Sequence, residues 1–319
     1  MTTPLNQVGA SCSFNPIPCY ARFQWMNDPI VRNILSKFLK PSLRGRKGYD
    51  QVIKFCWLMY RQVQGCSYRD LESMSGIDHS TFIKFRQRLI KKLWFPIIFK
   101  TLVSWITKNK KELRLILDSS FVETYSRKDE IGSEYFGYKE KNGFKLHQII
   151  DYKTRLPIIQ QVTPGARADV VWGLKLIRAA PKSWNVKTVL ADKGYDAEYL
   201  VMEAKQKWKK VKVGIPIRRV RLSQKPERLS NIEGQIHNYQ TKAKTRTLNR
   251  KFLNLRTEIE RYFSRKKRVF KLGEERTRHL KNFRANCYLT SIMEILEWMS
   301  GIVQLFTKLK GIRLTIILI

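Results

Sequence analysis

The sequence predicts an α/β protein, a mixed sheet flanked by helices, with an all-helical region ahead of it. Three observations carry this. Apolar residues recur at helical spacing between residues 22 and 108. From residue 113 the pattern changes to short apolar runs separated by turns, and later runs of this kind alternate with helical stretches. The 319 residues leave room for a core in one to three domains, and 43% hydrophobic with 12% aromatic residues excludes a disordered chain.

In the helical region, KGYDQVIKFCWLMYRQVQG places Val52, Cys56, Met59 and Val63 four, three and four residues apart, the period of one buried face. CSYRDLESMSGIDHSTFIKFRQRLIKK follows. It reads as a short helix capped by Ser67, a break at Gly76 and a second helix that Asp78 or Ser80 caps. Two short helices about a glycine turn, the second bearing Lys84, Arg86, Arg88 and Lys91, have the form of a helix-turn-helix and equally that of a plain packed pair. Lys84, Arg86 and Arg88 are the DNA-contact candidates it offers.

The strands come next. LRLIL ends in Asp118, and FKLHQIIDYKTRLPIIQQVTPG folds back as a hairpin turning at Tyr152 to Arg155. ADVVWGLKLIRAA is a helix with Asp169 at its N-cap; VKTVLADKGYDAEYLVMEAKQKW gives a strand, an acid, a glycine turn and a helix; VKVGIPI is a further strand. Hairpin strands followed by strand–helix alternation imply a mixed sheet under helices. The stretch 217–250 has little periodicity and reads as a basic insertion. The expected domains are therefore a helical DNA-binding region over 1–110, an α/β domain over 111–300 and an apolar, basic tail over 301–319.

Charge narrows the partner. Lysine and arginine number 62 against 26 acids, a formal charge of +36, and a field of that size points to a polyanion, most commonly nucleic acid. Residues 201–284 are the densest part, with 26 lysines and arginines against 7 acids. Five cysteines, odd in number and without a CxxC pair, suit free thiols in a reducing cytoplasm better than a disulfide framework or a zinc site. The first twenty residues lack the pattern of a signal peptide, and Lys308, Lys310 and Arg313 interrupt the apolar tail, so no membrane span is expected.

Against this basic background certain acids stand out. Asp118 and Asp192 each end an apolar strand, where a rigid backbone presents a carboxylate to a ligand or metal. Either alone also suits an Asx turn or an N-cap. The third acid lies in LRTEIERYFSRKKRVF, where Glu258 and Glu260 stand among six arginines and lysines. At about 100° per residue, Leu255, Ile259, Phe263 and Phe270 form one stripe of a helix. Arg256, Glu260 and Lys267 form a second, on the shoulder of the first, while Glu258 points elsewhere. The plainer account of Glu260 is an ion pair with Arg256 one turn away. The chemical account is that three converging carboxylates repel one another unless a divalent cation binds, and all-oxygen ligands select magnesium or manganese. Two such ions can activate water and stabilise a leaving oxygen at a phosphodiester.

These residues resemble the DDE transposases of prokaryotic insertion sequences. Arg256, Glu260 and Lys267 reproduce the last three members of the Y-(2)-R-(3)-E-(6)-K signature, with Leu253 in place of the tyrosine. LILDSS is similar to the first-aspartate strand of that family and VLADKGYD to the second, and the likeness spans roughly residues 45 to 297. The resemblance implies a ribonuclease-H-like catalytic domain. It implies Asp118, Asp192 and Glu260 as catalytic metal ligands, Lys145, His147 and Tyr195 as accessory residues, and Arg256 and Lys267 as DNA contacts. It also implies two Mg2+ or Mn2+ ions and metal-dependent cleavage at element ends with strand transfer into target DNA. The partners implied are double-stranded DNA and further copies of the chain in a synaptic complex. A related nuclease or recombinase, or a non-catalytic DNA-binding descendant, remain the alternative readings.

Overall fold

The computed structural model describes residues 17, 21–40, 48–108, 110–126, 130–218, 240–274 and 278–310. The chain divides into two compact units, Arg61–Leu296 and a smaller one of Met1–Tyr60 with Glu297–Ile319. The division falls inside two helices, whereas the sequence suggests a boundary near residue 110; the helices after residue 60 belong with the sheet. The expected basic insertion falls largely on residues 219–239, outside the described residues.

In the smaller unit a 3₁₀ turn, Ala21–Asn27, leads into α1, Pro29–Ser36. Asp28 caps α1 by accepting from the Ile30 amide at 2.9 Å, and Pro29 stands at the first position, where its missing N–H costs nothing. The first part of α2, Gln51–Gln64, follows. Val52, Cys56 and Met59 are buried as their spacing predicts, but so are Phe55, Trp57 and Leu58, so α2 is enclosed on more than one face.

The larger unit begins with α3, Tyr68–Ser75, and α4, His79–Lys91. Ser67 and Asp70 form a reciprocal capping box on α3, Gly76 ends it in the left-handed conformation at φ 68°, and Asp78 caps α4. Then come α5, Trp94–Lys108, and the strands β1, Leu113–Glu123, β2, Glu134–Phe136, β3, Lys141–Asp151, and β4, Pro157–Pro164. Helix α6, Asp169–Ala179, separates these from β5, Val186–Ala191, and α7, Glu198–Lys207, separates β5 from β6, Lys212–Gly214. The sheet order is β4-β3-β1-β5-β6, with β2 also on β3. Strand β3 runs antiparallel to β1 and β4, while β1, β5 and β6 are mutually parallel. A three-strand meander with two parallel strands beyond its first strand is the ribonuclease-H-like mixed sheet that the resemblance implies.

Further helices of the unit include α8, Arg250–Asn254, α9, Thr257–Val269, and the first part of α10, Leu280–Lys310. On one face of the sheet, Ile116, Val122, Phe144, Leu146, Ile150 and Leu190 meet Ile259, Tyr262 and Phe263 of α9 and Phe283 and Cys287 of α10. Within that apolar layer lies a polar knot that periodicity does not reveal. Lys266 is fully buried, and its Nζ donates to Tyr262 Oη, Ser291 Oγ and Glu294 Oε2 at 2.7–2.8 Å. Tyr262 Oη in turn lies 3.0 Å from Gln148 Oε1 on β3. Burial pulls the Lys266 ammonium below its ordinary range while Glu294 opposes that shift. The knot fixes the rotation of α9 over the sheet, because a one-residue slip would leave an unpaired buried charge.

Candidate active site

The site forms where the parallel pairing ends. β1 pairs with β5 only as far as Leu117 opposite Ala191, so the next residues, Asp118 and Asp192, open side by side at the carboxyl end of β5. The sequence places both acids at strand ends; for Asp118 this needs correction. β1 runs five residues further, because the long β3 partners it from Asp118 opposite Gln148 to Glu123 opposite Gly143. Asp118 is thus at an edge on its β5 side alone, and is held more rigidly than a strand end.

Each aspartate is oriented by its own backbone. Asp118 Oδ1 accepts from the Ser119 amide at 2.8 Å, and Asp192 caps a 3₁₀ turn, Lys193–Tyr195, by accepting from the Gly194 amide at 2.7 Å. Burial pushes the Asp118 carboxyl up to about 7; the negative charges of Asp192 and Asp169 add to the rise, and the Ser119 amide and Arg256 oppose it. The other acid of DKGYD, Asp196, is a different case. It is bound by Arg246 at 2.6 Å and Lys242 at 3.4 Å, and accepts from the Arg218 amide, so it ties down the chain on both sides of 219–239.

The sequence does not single out Asp169 as part of this site, and there the structure corrects it. Asp169 is the first residue of α6 with Ala168 at the N-cap, and its carboxylate caps nothing. Its Oδ1 instead accepts from Ser119 Oγ at 2.7 Å and pairs with Lys145 Nζ at 3.2 Å, with His147 Nδ1 at 3.6 Å. The only signal was an acid opening a helix after GAR, which capping explains as well. All three accessory candidates are buried here. Lys145 also donates to the Arg167 carbonyl, and His147 Nε2 lies 3.0 Å from Thr163 Oγ1. Burial drives the His147 imidazole down to about 4, so it is neutral at physiological pH. The Tyr195 ring packs where Gly173 leaves room, since a Cβ there would meet it at 2.7 Å. Its hydroxyl lies beside Ser119 outside hydrogen-bonding geometry, among Asp118, Asp169 and Asp192, and burial raises it well above the usual tyrosine range.

The third acid comes from α9. The helix begins at Thr257 with Arg256 at the N-cap position, slightly later than the sequence pattern suggests. Ile259 and Phe263 are buried as the apolar stripe requires, and Phe270 just beyond the helix is too. Glu260 has 57% of its side chain exposed and pairs with Arg256 at 2.9 Å. Glu258 is the less exposed of the two, at 12%, and is taken by Arg155 at 2.7 Å and Arg261 at 2.6 Å. Arg256 therefore acts on Glu260 directly and on Asp118 through its field. Lys267 donates to the Phe121 carbonyl on β1 at 3.2 Å, and burial lowers its pKa.

The β1–β5 register brings Asp118 and Asp192 together, and Arg256, the ion-pair partner of Glu260, also acts on Asp118. The three acids are not gathered within one ion's reach. Among the described residues, the group of potential metal ligands lying within 4.8 Å of one another is Glu72, Asp78 and His79, at the turn between α3 and α4. A carboxylate that burial pushes up, beside a second one and with an arginine as counter-charge, is nonetheless an environment that a divalent cation would relieve. On α4, Lys84 and Arg88 are exposed, whereas Arg86 is buried and donates to Asn286 Oδ1 at 2.7 Å and to the Asn282 carbonyl at 3.2 Å. That corrects its expected place on a DNA-reading face: it docks α4 on α10.

No described helix is long and apolar enough to cross a membrane. Cys56, Cys66 and Cys287 are free thiols; Cys12 and Cys19 lie outside the described residues. No curated protein matches the sequence. Among solved structures, the chain is similar to a cryo-EM structure of the piggyBac transposase synaptic complex with hairpin DNA, at 12% identity and a TM-score of 0.37, over 87% of this chain and 80% of that one. The profile of a transposase DDE domain matches residues 109–294, more than half of the sequence and the whole of the sheet just described, and the chain belongs to that family.

Proposed function

We propose that the chain is an insertion-sequence transposase of the prokaryotic Y-R-E-K group, which cuts DNA at the ends of its element and joins the freed 3′ hydroxyl to target DNA. The observation that carries this reading is Asp118, its carboxyl pushed up by burial, beside Asp192 at the open end of the parallel strands, with Arg256 acting on Asp118 and paired with Glu260. Asp118, Asp192 and Glu260 would hold two magnesium or manganese ions, which supply activation of the attacking water and stabilisation of the leaving oxygen. The chain's own residues do the rest. The Ser119 amide keeps Asp118 aimed at the open edge, and Asp169 holds Ser119 and neutralises Lys145 on the far side of the strand. Arg256, released from Glu260, is placed to meet the phosphate. Lys267 spends one of its three donors on β1 and keeps two for DNA. Exposed Lys84 and Arg88 would contact element ends from the helix-turn-helix, in a synaptic assembly of several copies in the cytoplasm.

The test is a nicking assay on a plasmid carrying the DNA that flanks the gene. With Mg2+ or Mn2+ the account expects cleavage that leaves 3′ hydroxyls at the element boundary, followed by joining. Cleavage without joining would support a related nuclease. Tight binding without cleavage would support the non-catalytic descendant.

A further inference from the structure

The sheet has an open side that the cleavage chemistry does not use. β4 is paired on one side only, with β3. Beside it lies a cavity of about 840 Å³, lined by the consecutive residues Ile158, Ile159, Gln160 and Gln161. Successive strand residues point to opposite faces, so a cavity that touches four in a row follows the edge itself, over roughly 13 Å at strand rise. One wall is a stripe of α5, through Phe99, Val103 and Thr107; the other is a stripe of α6, through Trp172, Leu176 and Ala179. The cavity extends to Leu113 and Asn185, at the amino ends of β1 and β5 and away from Asp118 and Asp192.

This groove holds hydrogen-bonding groups that the fold leaves open. Gln160 is 5% exposed, and its Oε1 accepts from Gln148 Nε2 at 2.9 Å and Ser291 Oγ at 2.6 Å, whereas its Nε2 is buried without a partner. Its backbone is open as well. Asn142 and Tyr152, at the two ends of β3, both turn toward β1, where the Asn142 carbonyl accepts from the Thr124 amide and the Tyr152 amide donates to the Arg114 carbonyl. Backbone groups alternate along a strand, so Gln148, an even number of residues from each, turns toward β1 too. Gln160, its partner in β4, therefore presents its N–H and C=O to the groove. Such an edge is a template for another strand.

Charge selects the guest. Lys100, Lys108, Lys110 and Lys175 line the groove, and no aspartate or glutamate does so among the described residues. Lys110 is held by Asp151 at 2.6 Å, but the other three are exposed, and no described acid pairs with them. We propose that the groove takes an extended acidic segment of a protein partner, which adds to β4 as a strand. The open edge of β4 gives it main-chain hydrogen bonds, the walls of α5 and α6 take its apolar side chains, and the lysines take its carboxylates. A DNA strand would meet the lysines as well, but it has no use for a strand edge between apolar walls. The site does not depend on the transposase reading.

The experiment uses the full chain and a fluorescein-labelled six-residue peptide of alternating glutamate and valine, read by anisotropy. The parent should bind it and should not bind its lysine–valine counterpart. N-methylation of one alternate set of peptide amides should weaken binding about tenfold, and of the other set hardly at all, because only one set faces β4. Lys100→Glu and Lys175→Glu should each cost about tenfold, and Ser104→Trp, an exposed position on the groove wall, should block the peptide. On binding, the Gln160 amide should exchange its hydrogen more slowly. A parent that does not bind the acidic peptide, or that binds it alike whichever amides are methylated, would overturn the proposal. Displacement of the peptide by a single-stranded oligonucleotide whose own binding Ser104→Trp abolishes would make the groove a nucleic-acid contact and overturn it too. So would loss of self-association in Ser104→Trp with peptide binding intact, which would make the groove a contact between copies.

Discussion

Asp118 is the residue whose chemistry is most exposed to test. Its carboxyl titrates near 7 in the folded chain, against an ordinary value of 3.8, chiefly because burial penalises the charge. Between those two values the folded state binds the proton that the unfolded state releases. Asp118 therefore makes the protein less stable as pH rises from about 4 to about 7, and the penalty stays constant above that. Asp118→Asn should melt several degrees higher than the parent at pH 8 and almost equally at pH 4, which calorimetry at the two values checks. A variant that melts lower at pH 8 would mean that the carboxylate is stabilised in place. Asp169→Asn tests its neighbour. It should keep an acceptor for Ser119 but leave Lys145 without its counter-charge, so melting should fall at neutral pH, whereas Asp169→Glu should recover part of the loss. Asp118 and Asp192 were legible because an acid closing an apolar run is conspicuous. Asp169 was not, because an acid opening a helix is explained by capping, and only the register of β1 against β3 shows that it reaches Ser119.

At the scale of elements, α9 shows how far periodicity goes. Its apolar stripe is visible in the sequence, but the fate of the two acids is not: Glu260, expected on the shoulder of the stripe, is 57% exposed, and Glu258 is 12% exposed and held by Arg155 and Arg261. Lys266 has the phase of that stripe, but its partners, Ser291 and Glu294, lie on another helix, so its pairing cannot be read from α9 alone. Glu294→Ala should cost about 3–5 kcal/mol in denaturant unfolding by stranding Lys266. The double change Lys266→Met with Glu294→Leu should cost much less, and a double variant as unstable as the single one would refute the stranded-charge argument. In α4, patterning finds the helix pair and its caps, but it cannot tell which arginine turns inward. Lys84→Ala or Arg88→Ala should lower the slope of log affinity against log salt by about 0.9 per lost phosphate contact, with melting unchanged. Arg86→Ala should lower melting instead, because it leaves Asn282 and Asn286 without their donor. The reverse result, measured by anisotropy titration and thermal unfolding, would return Arg86 to the DNA face.

For the whole molecule, the mixed sheet under helices and the family follow from local signals that agree with one another: a hairpin, strand–helix alternation and the motifs around the acids. The division into units does not, because α3–α5 look like a separate helical domain in sequence and only tertiary packing assigns them to the sheet. The central claim is that Glu260, and not its neighbour two residues earlier, joins Asp118 and Asp192 in holding metal for strand cleavage. The most direct measurement compares Glu260→Gln with Glu258→Gln in Mn2+-dependent nicking at saturating DNA, with metal-free DNA affinity measured alongside. The account predicts that Glu260→Gln loses nicking by at least a hundredfold and binds DNA as well as the parent, while Glu258→Gln, which breaks only contacts to Arg155 and Arg261, nicks within a fewfold of the parent rate. Full nicking by Glu260→Gln, with Glu258→Gln inactive, would contradict it.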